Sequence, residues 1–421
     1  MRWTLGRSLF FLIPFFCWAQ TPTPKDSLAT EQPKEKTSPF ITGYYPLYFF
    51  DVDLRSFIRY NNYEGFRFGI GGTTNERLFE NFKIGGYWAK SVKDDATKYS
   101  LGASLRLNKE RNTWLSFYYF KEIYELGSYQ FQTDARVYSV FEPRRLNITQ
   151  FYRNRMWEGT LQREFSSKVF GVFNVRRNKV EQLEDYAYQF ENGEILSSYY
   201  ITEGTLAVRI SPRTDFITLD DGRIEYFDGL PKISAQVTQA FKNVWQGDFG
   251  YTKFGLKFDY YIKRQNLSSS QVLLEGSWIL GDAPLTHLMH AYPNSPTKDE
   301  ILQRFSIAGR RSFETMYFGE FFSSKLATLQ LKHSLRRFYL SKTFQPELVF
   351  ITRHALGGLD NRERHLGIPF DTLNHLYNET GFELNRILFG FGLSFAYRYG
   401  AYNLPDFEDN ISFKFTFYLK L

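Results

Sequence analysis

The six histidines are the residues of this chain that could most readily do chemistry: His287, His290, His333, His354, His365 and His375. Ser334 follows His333 directly, and a histidine that meets a serine can activate its hydroxyl as a nucleophile. Adjacent residues of a β-strand point to opposite faces, so these two side chains cannot form a dyad on a strand. The pattern favours a protein without enzymatic activity and assigns no catalytic residue. A lipid hydrolase is the weaker alternative.

Metal and cofactor patterns are also weak. His287 and His290 lie three residues apart in "THLMH", and no further ligand pattern follows them. The single cysteine, Cys17, lies in the N-terminal segment, so a thiolate zinc site is not available in a mature chain. The glycine-rich stretch "GIGGTTN" at 69–75 ends a strand pattern and indicates a bend, not a phosphate loop. We expect no metal and no cofactor.

The composition favours β-strands. Aromatic residues make up 19% of the 421 residues, and 30 glycines interrupt them, which is typical of strands and not of helices. The chain carries 52 Lys and Arg against 45 Asp and Glu, a formal net charge of +7, but the cations are spread singly among aromatic residues. This spacing indicates a solvated or lumenal face, and we expect no nucleic-acid partner.

The first 59 residues are predicted to lie outside the folded part. Residues 1–19 combine two arginines with an apolar run and end on Ala19, as a secretory signal peptide does. A lipoprotein signal that uses Cys17 is the alternative. Residues 20–59 begin with a stretch rich in Pro, Thr, Lys and Glu, and we expect a flexible periplasmic tether there.

From residue 60 to residue 421, apolar and polar residues alternate in segments of about ten. "KFGLKFDYYIK" at 253–263, for example, places Phe254 and Leu256 on one face and Lys257 and Asp259 on the other. Strands of ~9 to 11 residues cross a bilayer at a tilt, and charges on the second face suit a wet lumen. We therefore predict an all-β fold, a transmembrane antiparallel β-barrel of about 16 strands that contacts outer-membrane lipid. The strands are expected at 63–73, 80–91, 97–108, 112–123, 129–141, 153–166, 168–180, 197–211, 231–242, 250–263, 270–281, 315–334, 342–355, 376–385, 387–399 and 408–420.

Charged residues on the inward face are predicted to line the lumen, whether as plain polar lining or as a selectivity filter. The main candidates are Lys257, Asp259, Glu275 and Glu379.

The chain ends on the alternating stretch "FKFTFYLKL". In a closed barrel the last strand pairs with the first, which removes the exposed edge. With both termini in the periplasm, the long connections 181–196, 282–314 and 356–375 face outward, and only 212–230 breaks the rule of short inner turns. The predicted seam joins Phe66, Arg67 and Phe68 to Phe415, Thr416 and Phe417.

Several segments carry a resemblance to one family. They are "YNNYEGFRFGIG" (60–71), "IGGYWAKSVKDDATKYSLG" (84–102), "SWILGDAPLTHLM" (277–289), "FETMYFGEFFSSKLATLQLKH" (313–333) and "HLYNETGFELNRI" (375–387). From about Tyr60 to its end the chain resembles an uncharacterised outer-membrane barrel family of Bacteroidota, often found behind a carboxypeptidase-regulatory-like domain. That barrel is similar to the sixteen-stranded BamA/TamA-type superfamily, the bacterial surface antigens, whose members insert or export proteins at the outer membrane.

The resemblance implies a sixth outer loop that folds into the lumen and carries an arginine to acidic residues of the wall. In "FSIAGRRSFETM", Phe305, Ile307, Gly309 and Phe313 stand at comparable places, but Glu314 takes the place of the arginine. A carboxylate cannot make the bidentate contact that an arginine makes to another carboxylate. The latch is therefore expected to be absent or rewired, with Arg310 or Arg311 as substitutes.

The resemblance also implies a function in envelope assembly or export, through opening between the first and last strands. Because few residues precede the predicted first strand, a periplasmic or outer-membrane protein partner is expected to deliver the substrate. A passive pore or structural barrel is the alternative.

Overall fold

The computed structural model of the chain describes residues 43–134, 143–213, 215–218, 224–227, 230–264, 267–296, 306–341, 344–388 and 390–417. The predicted signal peptide at 1–19 and residues 20–42 of the predicted tether lie outside the described residues.

The described residues form twenty-six strands and five short 3-10 helices. The strands are β1 (Tyr44–Leu47), β2 (Phe50–Asp53), β3 (Ile58–Asn61), β4 (Gly65–Thr74), β5 (Phe82–Ser91), β6 (Thr97–Asn108), β7 (Thr113–Glu125), β8 (Phe151–Ser166), β9 (Val169–Gln182), β10 (Ala187–Gln189), β11 (Ile195–Leu196), β12 (Ser198–Ile210), β13 (Asp215–Thr218), β14 (Ile224–Phe227), β15 (Lys232–Ala240), β16 (Tyr251–Lys263), β17 (Ser269–Gly281), β18 (Pro293–Ser295), β19 (Ser306–Ile307), β20 (Phe313–Tyr317), β21 (Lys325–Ser334), β22 (Glu347–Gly358), β23 (His365–Leu366), β24 (Tyr377–Leu388), β25 (Phe391–Gly400) and β26 (Ile411–Phe417). The 3-10 helices are Leu54–Ser56, Pro143–Leu146, Leu285–His287, Arg362–Arg364 and Phe407–Asn410. Within the described ranges, no helix has the length and apolarity needed to cross a membrane.

One nineteen-stranded sheet organises the fold. Its long strands are antiparallel neighbours in the order β4, β5, β6, β7, β8, β9, β12, β15, β16, β17, β21, β22, β24, β25 and β26. Each of these strands therefore pairs with the long strands before and after it along the chain. The predicted all-β, antiparallel architecture is confirmed.

The two ends of this sheet differ in their connections. At one end, called the long-loop end, lie the connections 126–150, 282–324 and 359–376. At the other, the short-loop end, residues 167–168 suffice to join β8 to β9. The exception at the short-loop end is 211–231, where β13 and β14 form a hairpin of their own.

The two faces of each strand differ as the alternation predicts. On β16, Phe254 and Leu256 are 44% and 57% exposed, whereas Lys253 and Lys257 are buried. On β26, Phe413 and Phe415 are exposed and Lys414 is buried. Large apolar side chains thus cover the outer face, and the polar side chains turn toward the interior.

The sheet rolls around its buried face. Residues of the single connection 282–324 contact β7 through Glu125, β24 through Glu379 and β26 through Lys414. Strands so far apart in the order come within reach of one segment only if the sheet encloses it. The prediction that the sixth long-end connection folds inward is confirmed.

Residues 43–59 are folded, so the tether prediction was wrong for this stretch. β1 and β2 form a hairpin, and β2 and β3 both pair with the outer edge of β4, Phe50 opposite Thr74 and Tyr60 opposite Phe66. A 3-10 turn separates β2 from β3. Two four-residue strands are too short to show the ten-residue alternation on which the prediction relied.

The predicted strand at 129–141 was wrong in its described part, 129–134. β7 pairs directly with β8, and the connection between them turns inward. There Lys253 Nζ lies 5.1 Å from the ring centre of Tyr129, and Lys257 Nζ lies 2.7 Å from Asp134 Oδ2. The alternation of aromatic residues here reflects packing inside the barrel. β2 and β3 together act as one interrupted strand beside β4. They replace the strand predicted at 129–141 and bring the wall to sixteen strands.

Candidate functional site inside the barrel

The connection 282–324, called the interior segment below, is the element that the fold positions at the centre of the molecule. It is described at 282–296 and 306–324. A parallel pair, β18 with β20, stiffens its middle. Close packing of its apolar side chains keeps it inside the barrel. The buried ones include Leu285, Leu288, Met289, Ala291, Phe313, Met316, Phe321 and Phe322.

The first polar anchor of the interior segment is Glu125, at the end of β7. Its carboxylate accepts a hydrogen bond from His290 Nε2 at 2.9 Å and a bidentate pair of hydrogen bonds from Arg144. Arg144 lies in the 126–150 connection and also donates from Nε to the carbonyl of Pro293 at 3.0 Å. One wall carboxylate thus holds two inward-folded connections together.

The second anchor is Glu379 on β24. Its Oε2 accepts from the backbone N–H and from the hydroxyl of Thr315, at 2.7 and 2.6 Å. Its Oε1 accepts from Arg353 Nη1 at 2.6 Å. Since both Glu379 and Arg353 are buried, the ion pair gives the wall a fixed acceptor for the interior segment.

The third anchor is the buried carboxylate of Glu314. Its Oε1 accepts from the backbone N–H of Gly309 at 3.1 Å and from the hydroxyl of Ser312 at 2.8 Å. Its Oε2 accepts from Asn294 Nδ2 at 2.7 Å and lies 3.0 Å from Lys414 Nζ. Both oxygens of this carboxylate therefore accept hydrogen bonds from protein donors, as a buried charge requires.

Lys414 brings the last strand to the same place. Its ammonium donates to the carbonyl oxygens of Asn294 and Glu314, at 2.5 and 3.0 Å. With the carboxylate of Glu314, these acceptors use the three donors of the ammonium. Every acceptor of Lys414 is therefore a group of the interior segment.

The local field favours the ionised form of Glu314. Burial opposes ionisation, but the charges of Lys414 and Arg353 and the hydrogen bond from Asn294 outweigh it and lower the pKa of Glu314. The interior segment thus carries the negative charge and the wall carries the positive one. This is the reverse of the latch that the resemblance implied.

Backbone contacts bind the interior segment to the last strand as well. β19 pairs in parallel with β26, Ser306 opposite Lys414 and Ile307 opposite Phe415. The N–H of Ala308 donates to the carbonyl of Phe415 at 2.8 Å. In the described part of the chain, the edge of β26 that faces away from β25 pairs with this segment and not with another strand of the wall.

The predicted seam residues Phe66, Arg67 and Phe68 do not lie at the seam. β4 has neighbours on both edges, with Arg67 opposite Arg59 of β3 and opposite Ser91 of β5. Arg67 makes a bidentate contact to Glu122 at 2.7 Å. The prediction failed because it took β4 for the first strand.

The other half of the predicted seam is on β26. Phe415 is 47% exposed on the outer face, and Thr416 turns inward and donates to Asn385 Oδ1 at 2.5 Å. Phe417 is the last described residue and lies opposite Phe391 of β25.

The residues predicted for the loop motif lie close together at the tip of the interior segment. Ile307 is in β19, Gly309 donates to Glu314, and Phe313 is fully buried. Phe305 lies outside the described residues. Arg311 Nη1 lies 3.5 Å from Asp134 and 3.8 Å from Glu275. Arg310 makes no side-chain contact of this kind among the described residues.

The predicted lumenal charges all lie on the inward side of their strands. Lys257 and Glu275 lie 3.7 Å apart across β16 and β17, and Asp259 accepts from Gln271 at 2.9 Å. Glu379 is the anchor described above. Lys257, Glu275 and Glu379 each lie close to a charge of the opposite sign, which offsets part of their desolvation.

The histidines do not gather in one site. His333 lies beside Ser334, as the sequence requires, but its Nδ1 is 2.9 Å from Ser270 Oγ on the outer face of β17. No carboxylate within hydrogen-bonding distance of His333 appears among the described residues. His287 and His290 are separate, and no group of three or more metal-type ligands is found in the described ranges.

Sequence reasoning missed Lys414, Asn294 and Arg353 as functional residues. The position of Lys414 between Phe413 and Phe415 did indicate an inward-facing cation. Nothing in the local pattern of Asn294 or Arg353 indicates which partner the fold brings to them.

Comparisons with known proteins place this architecture among outer-membrane barrels. No family model matches the chain, and no curated protein matches its sequence. BamA from Haemophilus ducreyi lacking POTRA domains 1–3 is similar in structure, with a TM-score of 0.51 and 12% identity over 85% of this chain and 68% of that one. This likeness confirms the fold of an outer-membrane β-barrel.

Two further solved structures are similar at lower scores. CdiB from Acinetobacter baumannii has a TM-score of 0.40 and 11% identity, covering 85% of this chain and 57% of that chain. OccK11 (OpdR) from Pseudomonas aeruginosa has a TM-score of 0.33 and 11% identity, covering 83% of this chain and 87% of that chain.

Proposed function

We propose that this chain is an integral outer-membrane barrel that supports assembly or export of proteins at that membrane, with a partner protein that delivers the substrate. Its short-loop end faces the periplasm and its exposed apolar face contacts lipid. The fold likeness to BamA supports the class. The observation that carries the mechanism is the attachment of the last strand to the interior segment.

The edge of β26 is the point where the wall can open. A strand edge whose hydrogen-bonding groups are unpaired in lipid is costly, so the edge must keep a partner. Here β19 of the interior segment pairs with the edge at Lys414 and Phe415, and it can withdraw without disturbing the β25–β26 pairing. Withdrawal frees the edge of β26 for a substrate strand and removes the interior segment from the lumen in the same step.

The ionic contact resists this step until a substrate or partner compensates it. Lys414 is 1% exposed and Glu314 is 1% exposed, and each would lose its charged partner if the interior segment left. An uncompensated buried charge is strongly destabilising. The closed form is therefore the resting state, and opening needs the binding energy of a second molecule.

A disulfide between the interior segment and β26 tests this mechanism. The only natural cysteine is Cys17, in the predicted signal peptide, so Ile307→Cys with Phe415→Cys introduces a single pair. The two positions are directly opposite, and neighbouring strands lie ~4.8 Å apart, a separation that a disulfide spans. We expect the oxidised protein to fail to restore outer-membrane protein levels in cells lacking the chain, and the reduced protein to restore them.

The matched control is Phe395→Cys with Phe413→Cys, which are opposite on β25 and β26, strands that stay together in this mechanism. It should restore function in both redox states. Full activity of the oxidised Ile307–Phe415 cross-link would contradict opening at this edge. If the chain is instead a passive pore, cells lacking it should have unchanged levels of outer-membrane proteins. The purified protein should then show a steady conductance.

A further inference from the structure

A cavity of about 200 Å³ lies between the tip of the interior segment and the inner face of the wall. It is on the short-loop side, because β17 begins and β21 ends near it. Among the described residues that line it, three side chains are cations and none is acidic. The lining residues are Gln271, Leu273, Arg310, Arg311, Gln330 and Lys332.

The wall holds the Arg310–Arg311 turn by its backbone. Gln330 Nε2 donates to the carbonyl of Arg311 at 2.5 Å, and Lys332 Nζ donates to the carbonyl of Arg310 at 2.9 Å. Both hydrogen bonds go to backbone carbonyl oxygens, so neither of them uses a guanidinium group. The turn is thus held in place, while the guanidinium groups of Arg310 and Arg311 remain available to a ligand.

Protein acceptors do not saturate these cations. Arg310 has no hydrogen bond or ion pair from its side chain within the described ranges. Arg311 is 43% exposed, and its nearest carboxylates, Asp134 and Glu275, lie at 3.5 and 3.8 Å, beyond a close charge-assisted hydrogen bond. Lys332 is 3.8 Å from Glu383.

A fourth cation lies one strand away. Arg353 on β22 is directly opposite Gln330, and it is 2% exposed. Within the part of the chain that the structure describes, its Nε and Nη2 have no hydrogen-bond partner, and Nη1 donates to Glu379. Buried donors without partners are uncommon and mark places where a further acceptor fits.

We propose that this cavity is a binding site for a phosphate-class anion. Three cations balance the charge of a doubly charged oxyanion ligand more closely than the charge of a ligand with one carboxylate. Guanidinium groups also match the geometry of phosphate oxygens, because they donate two parallel hydrogen bonds. The bound anion would lie against the turn that precedes Glu314, so its binding would stabilise the interior segment in place. This site is independent of the proposed role in protein assembly.

Calorimetric titration of the purified full-length protein in detergent, at constant ionic strength, tests the site with inorganic pyrophosphate. We expect saturable binding by the natural protein and an affinity at least tenfold weaker for Arg310→Gln with Arg311→Gln, because two charge-assisted contacts are lost. Arg310→Lys with Arg311→Lys should bind with intermediate affinity, since charge remains and the fork is lost.

The control is Arg336→Gln with Arg337→Gln, an equal change of net charge in the 335–346 turn, whose described residues do not line the cavity. It should bind pyrophosphate as the natural protein does. A short-chain phosphatidic acid is then added as competitor: competition identifies a lipid phosphate as able to occupy the site, and its absence restricts the site to soluble phosphates. No saturable binding by the natural protein, or equal binding by the Arg310–Arg311 glutamine variant, overturns the proposal.

Discussion

Lys414 and Glu314 are the residues at which this barrel departs most from the latch that the resemblance implied. The charge on the interior segment is negative, and the wall supplies the cation from its last strand. The interior segment and the wall still carry opposite charges and attract each other. The wall residue that makes the contact, however, lies on β26, the last strand of the sheet. This ion pair, together with the β19–β26 backbone pairing, links the interior segment to β26.

Replacement of Lys414 by Met should destabilise the barrel by about 3–5 kcal/mol, because Glu314 is left as an unpaired buried charge. Urea unfolding of the purified protein in lipid vesicles measures this. Addition of Glu314→Gln to Lys414→Met should recover part of the loss. The control is Lys325→Met, which removes an exposed ion pair to Asp360 and should cost no more than about 1 kcal/mol. Additive effects of Lys414→Met and Glu314→Gln would contradict the coupling.

His365 is expected to make the long-loop end sensitive to acid. Burial, together with the charge of Arg364, lowers the pKa of His365 to about 4. Its Nδ1 lies 2.9 Å from the Tyr186 hydroxyl, and Tyr188 packs edge-on against its ring. Arg364 is paired with Glu191 and Asp282. The unfolded histidine binds its proton near pH 6.5, so stability is full above that pH and falls as the pH drops toward 4.

Hydrogen exchange of the peptides that contain Tyr186 and His365 should therefore speed up between pH 6.5 and 4, after correction for intrinsic rates. His365→Gln should flatten this change. His375→Gln, at an exposed position of the same connection, should leave it as in the natural protein. Burial also lowers the pKa of His287 to about 4, so peptides of the interior segment carry a separate pH dependence that both variants retain.

At the scale of the element, the strands work because their two faces meet different solvents. The outer face of β16 and β17 carries Leu256 at 57% and Leu280 at 45% exposure. Leu256 lies in the middle of its strand, whereas Leu280 lies near the long-loop end. A charge on the lipid face costs most at the bilayer midplane and least near the interface.

Leu256→Lys should accordingly destabilise the inserted barrel by about 2–4 kcal/mol, and Leu280→Lys by about 0–1 kcal/mol. Folding into vesicles, followed by the shift in electrophoretic mobility on heating, gives both values. Equal costs for the two variants would argue against lipid on this face, since only a bilayer makes the cost depend on depth.

At the scale of the whole molecule, the described parts of the interior segment and of the 126–150 connection lie inside the barrel. Glu125 holds both connections, and their apolar side chains pack against the wall. The barrel is therefore expected to pass few ions in its resting state, in spite of the polar lining of its lumen.

Removal of residues 306–317, with a short glycine-serine linker in their place, should convert this low conductance into a large, steady one in planar bilayers. The deletion takes away β19, Glu314 and the Arg310–Arg311 turn together. A deletion of 216–226 in the short-loop hairpin is the control of similar length and should leave the conductance low. High steady conductance of the natural protein would contradict a filled lumen and favour a passive pore.

The sequence by itself determined the class of fold. Alternation in segments of about ten residues, as in β16 and β26, fixes which side chains face lipid and which face the interior, because the side-chain period of a strand is two. It also marked the interior segment and the inward charges Lys257, Glu275 and Glu379. These are local properties, and local spacing is what a sequence states directly.

Only the tertiary structure decided where the barrel begins and what its last strand touches. β2 and β3 are too short to show a period, and Tyr129 and Phe131 imitate one inside a loop. The partners of Lys414 lie 100 and 120 residues away along the chain. Contacts over such separations depend on how the whole sheet curves and in which register its strands pair, and no short stretch of sequence contains that information.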